Sequence, residues 1–221
     1  MLPKSVHTGV ISVWTVFFMR KLLGILALTM VLGVFVYMST VAMDKKQLSE
    51  DILRLHVVAA SDSDADQAVK LQVRDAVLWE VDNLTAGAKT ADEAKAILRE
   101  NLVLLERTAN KTLEEQGFED RASVTMTREA FPIREYETFT LPSGVYESLR
   151  VTIGPGDGQN WWCVVFPGLC VPAASEEVED AAQEAGLNDS LTGAITQEPE
   201  YEIRFFVLDL WGRIENFFYK K

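Results

Sequence analysis

Few side chains in this chain have the reactivity that catalysis or ligation demands, and their spacing limits what they could do. There are two cysteines, Cys163 and Cys170, and two histidines, of which His56 alone lies beyond the apolar N-terminal region. A cysteine nucleophile needs a base to take its proton, so a Cys-His hydrolase would have to draw on that single histidine. His56 alternates onto the polar side of an apparent strand, Leu53-Arg54-Leu55-His56-Val57-Val58, where a lone histidine is more often structural or solvated than catalytic. Asp62, Asp64 and Asp66 match the first, third and fifth positions of a calcium loop. Gln67 and Val73 then stand where the sharp-turn Gly and the bidentate Glu are needed, so the spacing fails for an ion. Ser61-Asp62-Ser63-Asp64 reads instead as a polar turn whose oxygens meet unpaired backbone N–H groups. Gly154-Pro155-Gly156-Asp157-Gly158 lacks the following helix and the Lys-Ser/Thr ending of a phosphate cradle, and is read as a hairpin loop between two strands. No catalytic residue, metal site or cofactor is expected.

The elements that must position these residues follow from periodicity. Leu53, Leu55 and Val57 alternate with Arg54 and His56, and Val57-Val58-Ala59-Ala60 then ends a buried strand. From Asp66 the spacing becomes helical, with Val69, Val73, Ala76, Val77 and Val81 on one face, and Ser63 with Asp66 resembles a capping box. A second helical region starts at Thr90-Ala91-Asp92-Glu93 and runs to Gln116, as one bent helix or as two with Asn101 capping the second; Gly117 stops it. Strands are expected over 122–128, 145–153 and 161–166. Trp161 and Trp162 must then face opposite sides of the sheet, at most one of them in the core and the other covered by a further segment or exposed as a binding anchor. The fold class is α+β: a small, mostly antiparallel sheet with amphipathic helices on one face, after an N-terminal apolar export or anchor helix.

The 221 residues allow one medium domain with appendages. Residues 1–43 contain Lys4, Arg20 and Lys21 and no acid; taking that +3 from the chain's −12 leaves −15 on the remainder. So acidic a domain would repel nucleic-acid phosphates, and no nucleic-acid partner is expected. Leu22 to Ala42 carries no charge and follows Arg20-Lys21. Its length fits a transmembrane anchor, and its small residues Thr40 and Ala42 fit a signal peptide cleaved after Ala42. In either case the acidic part is exported. Met19 resembles a natural start, so residues 1–18 read as an N-terminal extension, 19–43 as the signal or anchor, and 44–171 as the exported domain.

Residues 172–200 are acidic and read as an exposed flexible linker, with a short helix possible over 175–185. Residues 201–221 read as a C-terminal amphipathic helix with Val207, Leu210, Trp211, Ile214 and Phe218 on its apolar stripe. Packing back on the domain is the favoured role for that stripe, with docking to a partner or membrane surface as the alternative. Cys163 and Cys170 are disulfide candidates in an exported domain, although spacing alone does not guarantee the geometry.

Two stretches together resemble stage II sporulation protein R of endospore-forming bacteria. One is Leu53 to Ser63 with Asp66-Gln67, Lys70-Leu71 and Val73 to Val77. The other is Leu141 to Val151 through Gly154, Asn160-Trp161-Trp162-Cys163-Val164-Val165-Phe166-Pro167 and Leu169-Cys170. The similarity spans roughly Gln47 to Val171. The chain departs from the family at Ala60, usually Asn, and at Gly168, commonly Pro, and in its acidic stretch before Tyr201. The resemblance implies a protein made in the forespore and exported to the space between forespore and mother cell. There it would activate a membrane-embedded aspartic protease that processes the pro-form of sporulation sigma factor E. On that reading His56, Ser61, Asp62, Ser63, Asp64, Trp161 and Trp162 are the candidates for partner contact. The membrane is met through the N-terminal segment, as an anchor or a cleaved signal. An exported hydrolase and a structural envelope protein are the competing readings.

Overall fold

The computed structural model describes residues 13–168, 180–183 and 186–219. The chain divides into two units, Met1–Ala42 and Met43–Lys221. In the first, the uncharged stretch is helical and forms most of α1 (Val13–Asp51), which is long and apolar enough to cross a bilayer and fits a signal or an anchor. Its polar end, residues 43–51, belongs to the second unit.

The second unit is α+β. Its sheet contains β1 (Leu53–Val58), β2 (Ala122–Phe131), β5 (Gly144–Ile153) and β6 (Asn160–Phe166), while β3 (Arg134–Glu135) and β4 (Thr140–Leu141) form a separate two-stranded ribbon. The order is β2-β5-β1-β6, with β1 parallel to β5 and antiparallel to β6, and β2 antiparallel to β5. The registers Leu55↔Leu149, Leu55↔Cys163 and Val124↔Val151 put the apolar positions of all four strands on one face. That face is covered by α2 (Asp64–Thr85), α3 (Ala91–Glu100) and α4 (Leu102–Glu115), which contribute Val69, Val73, Val77, Leu98, Leu105 and Leu113 to the core. Ser63 caps α2, its Oγ accepting the Asp66 N–H, and Thr90 caps α3 by accepting from Glu93. Asn101 separates α3 from α4 without capping, because its side-chain amide donates to the Ile97 carbonyl at 2.8 Å instead.

Three sequence expectations change. The Gly154–Gly158 stretch is not a hairpin turn, because β5 and β6 are not neighbours: β1 lies between them, and the loop crosses the end of β1. Its glycines serve close approach, the Asp157 and Gly158 N–H groups donating to the Ala60 and Ala59 carbonyls at 3.2 and 3.0 Å. Next, part of the expected acidic linker is core: α5 (Asp189–Ile195), capped by Asn188, buries Leu191, Thr192, Gly193, Ala194 and Ile195. Much of the helix expected over 175–185 lies outside the described residues. Finally, α6 (Glu202–Tyr219) does pack on the domain, but through Leu208, Asp209 and Gly212, leaving Leu210, Trp211, Ile214 and Phe218 of the anticipated stripe exposed.

A Cβ on Gly158 would fall 2.2 Å from the Ser61 carbonyl oxygen, whereas one on Gly87 would meet open space. Gly158→Ala is expected to cost about 1–3 kcal/mol, read as a lowered urea midpoint, while Gly87→Ala leaves the midpoint nearly unchanged. Equal midpoints for the two variants would contradict the close approach.

Candidate docking site

The α2 helix begins directly after the polar turn, and residues on its successive turns hold that turn in place. Gln67 Nε2 donates to the Ser61 carbonyl at 2.8 Å. Lys70 Nζ donates to Gln67 Oε1 at 2.6 Å and to the Gln159 carbonyl at 3.0 Å. Arg74 follows, its guanidinium 4.3 Å from the centre of the Trp161 ring. Within the turn, Ser61 Oγ accepts the Ser63 N–H at 3.1 Å and bonds the Asp66 carboxylate. Asp62, Ser63 and Asp64 are exposed on this braced backbone, and Trp161 is 37% exposed beside it. Burial of Lys70 lowers its pKa, a shift that the charge of Asp62 opposes. The result is a pre-ordered surface of carboxylates, an indole and a guanidinium, the kind that docks with little ordering cost.

His56 and Trp162 lie on the other face of the sheet, so the expected contact residues do not form one patch. His56, expected on the polar side of its strand as structural or solvated, is only 7% exposed. Its Nδ1 lies 2.8 Å from Glu129 Oε2 and its Nε2 2.7 Å from Asn160 Oδ1, so neither ring nitrogen is free for a substrate. Arg150 Nη1 also donates to Glu129 Oε2, at 2.8 Å, and Ser148 Oγ donates to Oε1 at 2.6 Å. The Trp162 ring is tilted against that of His56, with centroids 5.6 Å apart, and the Arg134 guanidinium lies over it at 3.6 Å. Cys163 is buried and disulfide-bonded, and Cys170 lies outside the described residues. Among the described residues no group of His, Cys, Asp and Glu could hold a metal ion.

The members that sequence reasoning missed are Glu129, Ser148, Arg150 and Asn160 on one face, and Gln67, Lys70 and Arg74 on the other. The first group did leave a signal. Ser148 and Arg150 alternate with Leu149 and Val151 along β5, marking a polar face that the alternation itself does not show to be covered.

Residues 49–176 match the family described as stage II sporulation protein R, more than half of the chain, with all four sheet strands inside the match. The chain belongs to this family. It is 37% identical over 123 residues to the stage II sporulation protein R of Bacillus subtilis (strain 168), covering 56% of this chain and 55% of the relative. It thus spans about half the length of that curated relative. No solved structure matches. The matched segment holds both the braced turn and the His56 network; α5 and α6 lie beyond it.

Burial alone would raise the Glu129 pKa, but hydrogen bonds from His56 and Ser148 and the charges of His56 and Arg150 hold it below its ordinary 4.5. A carboxylate lowered in the folded state stabilises the fold above its unfolded pKa, and that contribution is lost as pH falls through the folded value. Glu129→Gln is therefore expected to lose about 3 kcal/mol at neutral pH. The native protein should also lose stability relative to the variant as pH falls below the ordinary carboxylate range. Urea midpoints that stay parallel throughout the acid range would contradict this assignment.

Proposed function

We propose that the exported domain is a docking signal of endospore formation. It acts in the space between forespore and mother cell, where it activates the membrane-embedded aspartic protease that processes the pro-form of sporulation sigma factor E. Membership of the stage II sporulation protein R family carries this reading, because the matched segment 49–176 contains the ordered, exposed turn with Trp161 beside it. The geometry favours docking over chemistry. The groups best suited to catalysis are engaged in holding the fold, His56 through both ring nitrogens and Cys163 through its disulfide. The contact surface is then Asp62, Ser63, Asp64 and Trp161, with Ser61 holding the turn, while His56 and Trp162 act from behind the sheet.

The test is cleavage of the sigma factor precursor in a non-sporulating host that makes precursor and protease, with and without this protein. Cleavage is expected only with all three components. Asp62→Arg and Trp161→Ala should each weaken docking by about 2 kcal/mol, roughly thirtyfold, with the domain still folded and exported. An uncut precursor beside a folded, exported domain would refute the reading and return the hydrolase and envelope-protein alternatives.

A further inference from the structure

An amphipathic helix in water normally buries its apolar face, and α6 does the reverse. Apart from the buried Leu208, its domain-facing side is polar or small. Asp209 Oδ1 accepts from the Ser143 N–H at 2.9 Å and from its hydroxyl at 2.7 Å. Glu215 Oε2 accepts the Val145 N–H at 3.2 Å and lies 3.5 Å from Lys45 Nζ. Asn216 Nδ2 donates to the Phe131 carbonyl at 2.7 Å. Gly212 lies against Ser143, where a Cβ would come within 1.6 Å of the carbonyl oxygen. These directional bonds fix the roll of the helix. The opposite side shows Ile203 75%, Phe206 65%, Leu210 46%, Ile214 53% and Phe217 62% exposed. An apolar stripe held outward this way is a surface made for another phase or partner.

We infer that the outward face of α6, from Ile203 to Phe217, lies on the bilayer surface, its apolar side chains in the boundary between headgroups and acyl chains. Two observations select lipid. Arg204 Nε donates to Asp44 Oδ2 at 2.6 Å, in an ion pair whose side chains are only 19% and 6% exposed. Asp44 follows Ala42, the end of the uncharged stretch, by two residues, so the start of α6 is bonded to the chain just past its apolar segment. The second observation is charge. Residues 44–221 carry the whole −15 that remains after the +3 of residues 1–43 is taken from −12, so a second copy would be repelled, as would an anionic headgroup layer, whereas a bilayer surface of zwitterionic lipid needs no charge complement. This inference is independent of the protease reading, and α6 lies outside the family match.

The test places a nitroxide on the full-length chain, at Phe206→Cys or Leu210→Cys, in vesicles of phosphatidylethanolamine and phosphatidylcholine. Val103→Cys on α4, where Val103 is 73% exposed, is the aqueous reference. Collisions with oxygen should exceed those with a water-soluble nickel chelate at 206 and 210, and the order should reverse at 103. The same order at all three positions would overturn the inference. So would shielding of 206 and 210 from both reagents, which would mean that protein, a second copy included, covers the face. Neither result bears on the protease reading, since no protease is present.

Discussion

The central constraint is that β1 has no solvent-facing side. Strands β5 and β6 flank it, and all six of its residues are buried. Leu53, Leu55 and Val57 meet the helical layer, but Arg54 and His56 must leave water on the opposite face, where an uncompensated cation or imidazole is costly. His56 is compensated by Glu129 and Asn160. Arg54 is wholly buried. It donates to the Tyr136 hydroxyl at 2.9 Å and lies 4.1 Å from the Phe131 ring centre and 5.2 Å from that of Tyr146, so aromatic faces stand where a carboxylate would be expected. The β3–β4 ribbon and α6 complete the cover over this polar face. Tyr136, Phe131 and Tyr146 therefore belong to the support of β1 as much as its strand neighbours do.

The same arrangement orders the surface beyond β1. The strand ends at Val58, and the Gly154–Gly158 loop closes over Ala59 and Ala60 because the two flanking strands must be joined across that end. The turn at Ser61–Asp64 is thus gripped from one side by the loop and from the other by Gln67 and Lys70. Its carboxylates reach solvent from a backbone that has little freedom left to lose. The ordered turn, the placing of Trp161 and the α2 cap are linked consequences of one buried strand.

Much of this was legible in the sequence. The four strands, the α2 and α3 caps, the opposite facing of Trp161 and Trp162 and the apolar N-terminal helix all follow from local alternation, caps and composition. Strand order was not legible, and the glycine loop misled for that reason: a turn between two strands looks the same whether they pair or flank a third. His56 and Arg54 looked solvent-facing because alternation reports polarity rather than cover, and their cover comes from residues far away in the chain. Acidic composition masked α5, whose apolar residues are few but all turned inward. The α6 stripe was visible, yet its direction depends on Asp209, Gly212 and Asn216 meeting carbonyls and N–H groups of distant strands, which no helical period encodes.

Amide hydrogen exchange on the full-length protein in membranes, with and without the aspartic protease, tests the central claim most directly. The account predicts added protection at residues 61–64 and 159–162 when the protease is present, with β1 already protected in both states. Exchange at those residues that is unchanged by the protease, while protection appears elsewhere on the domain or nowhere at all, would contradict it.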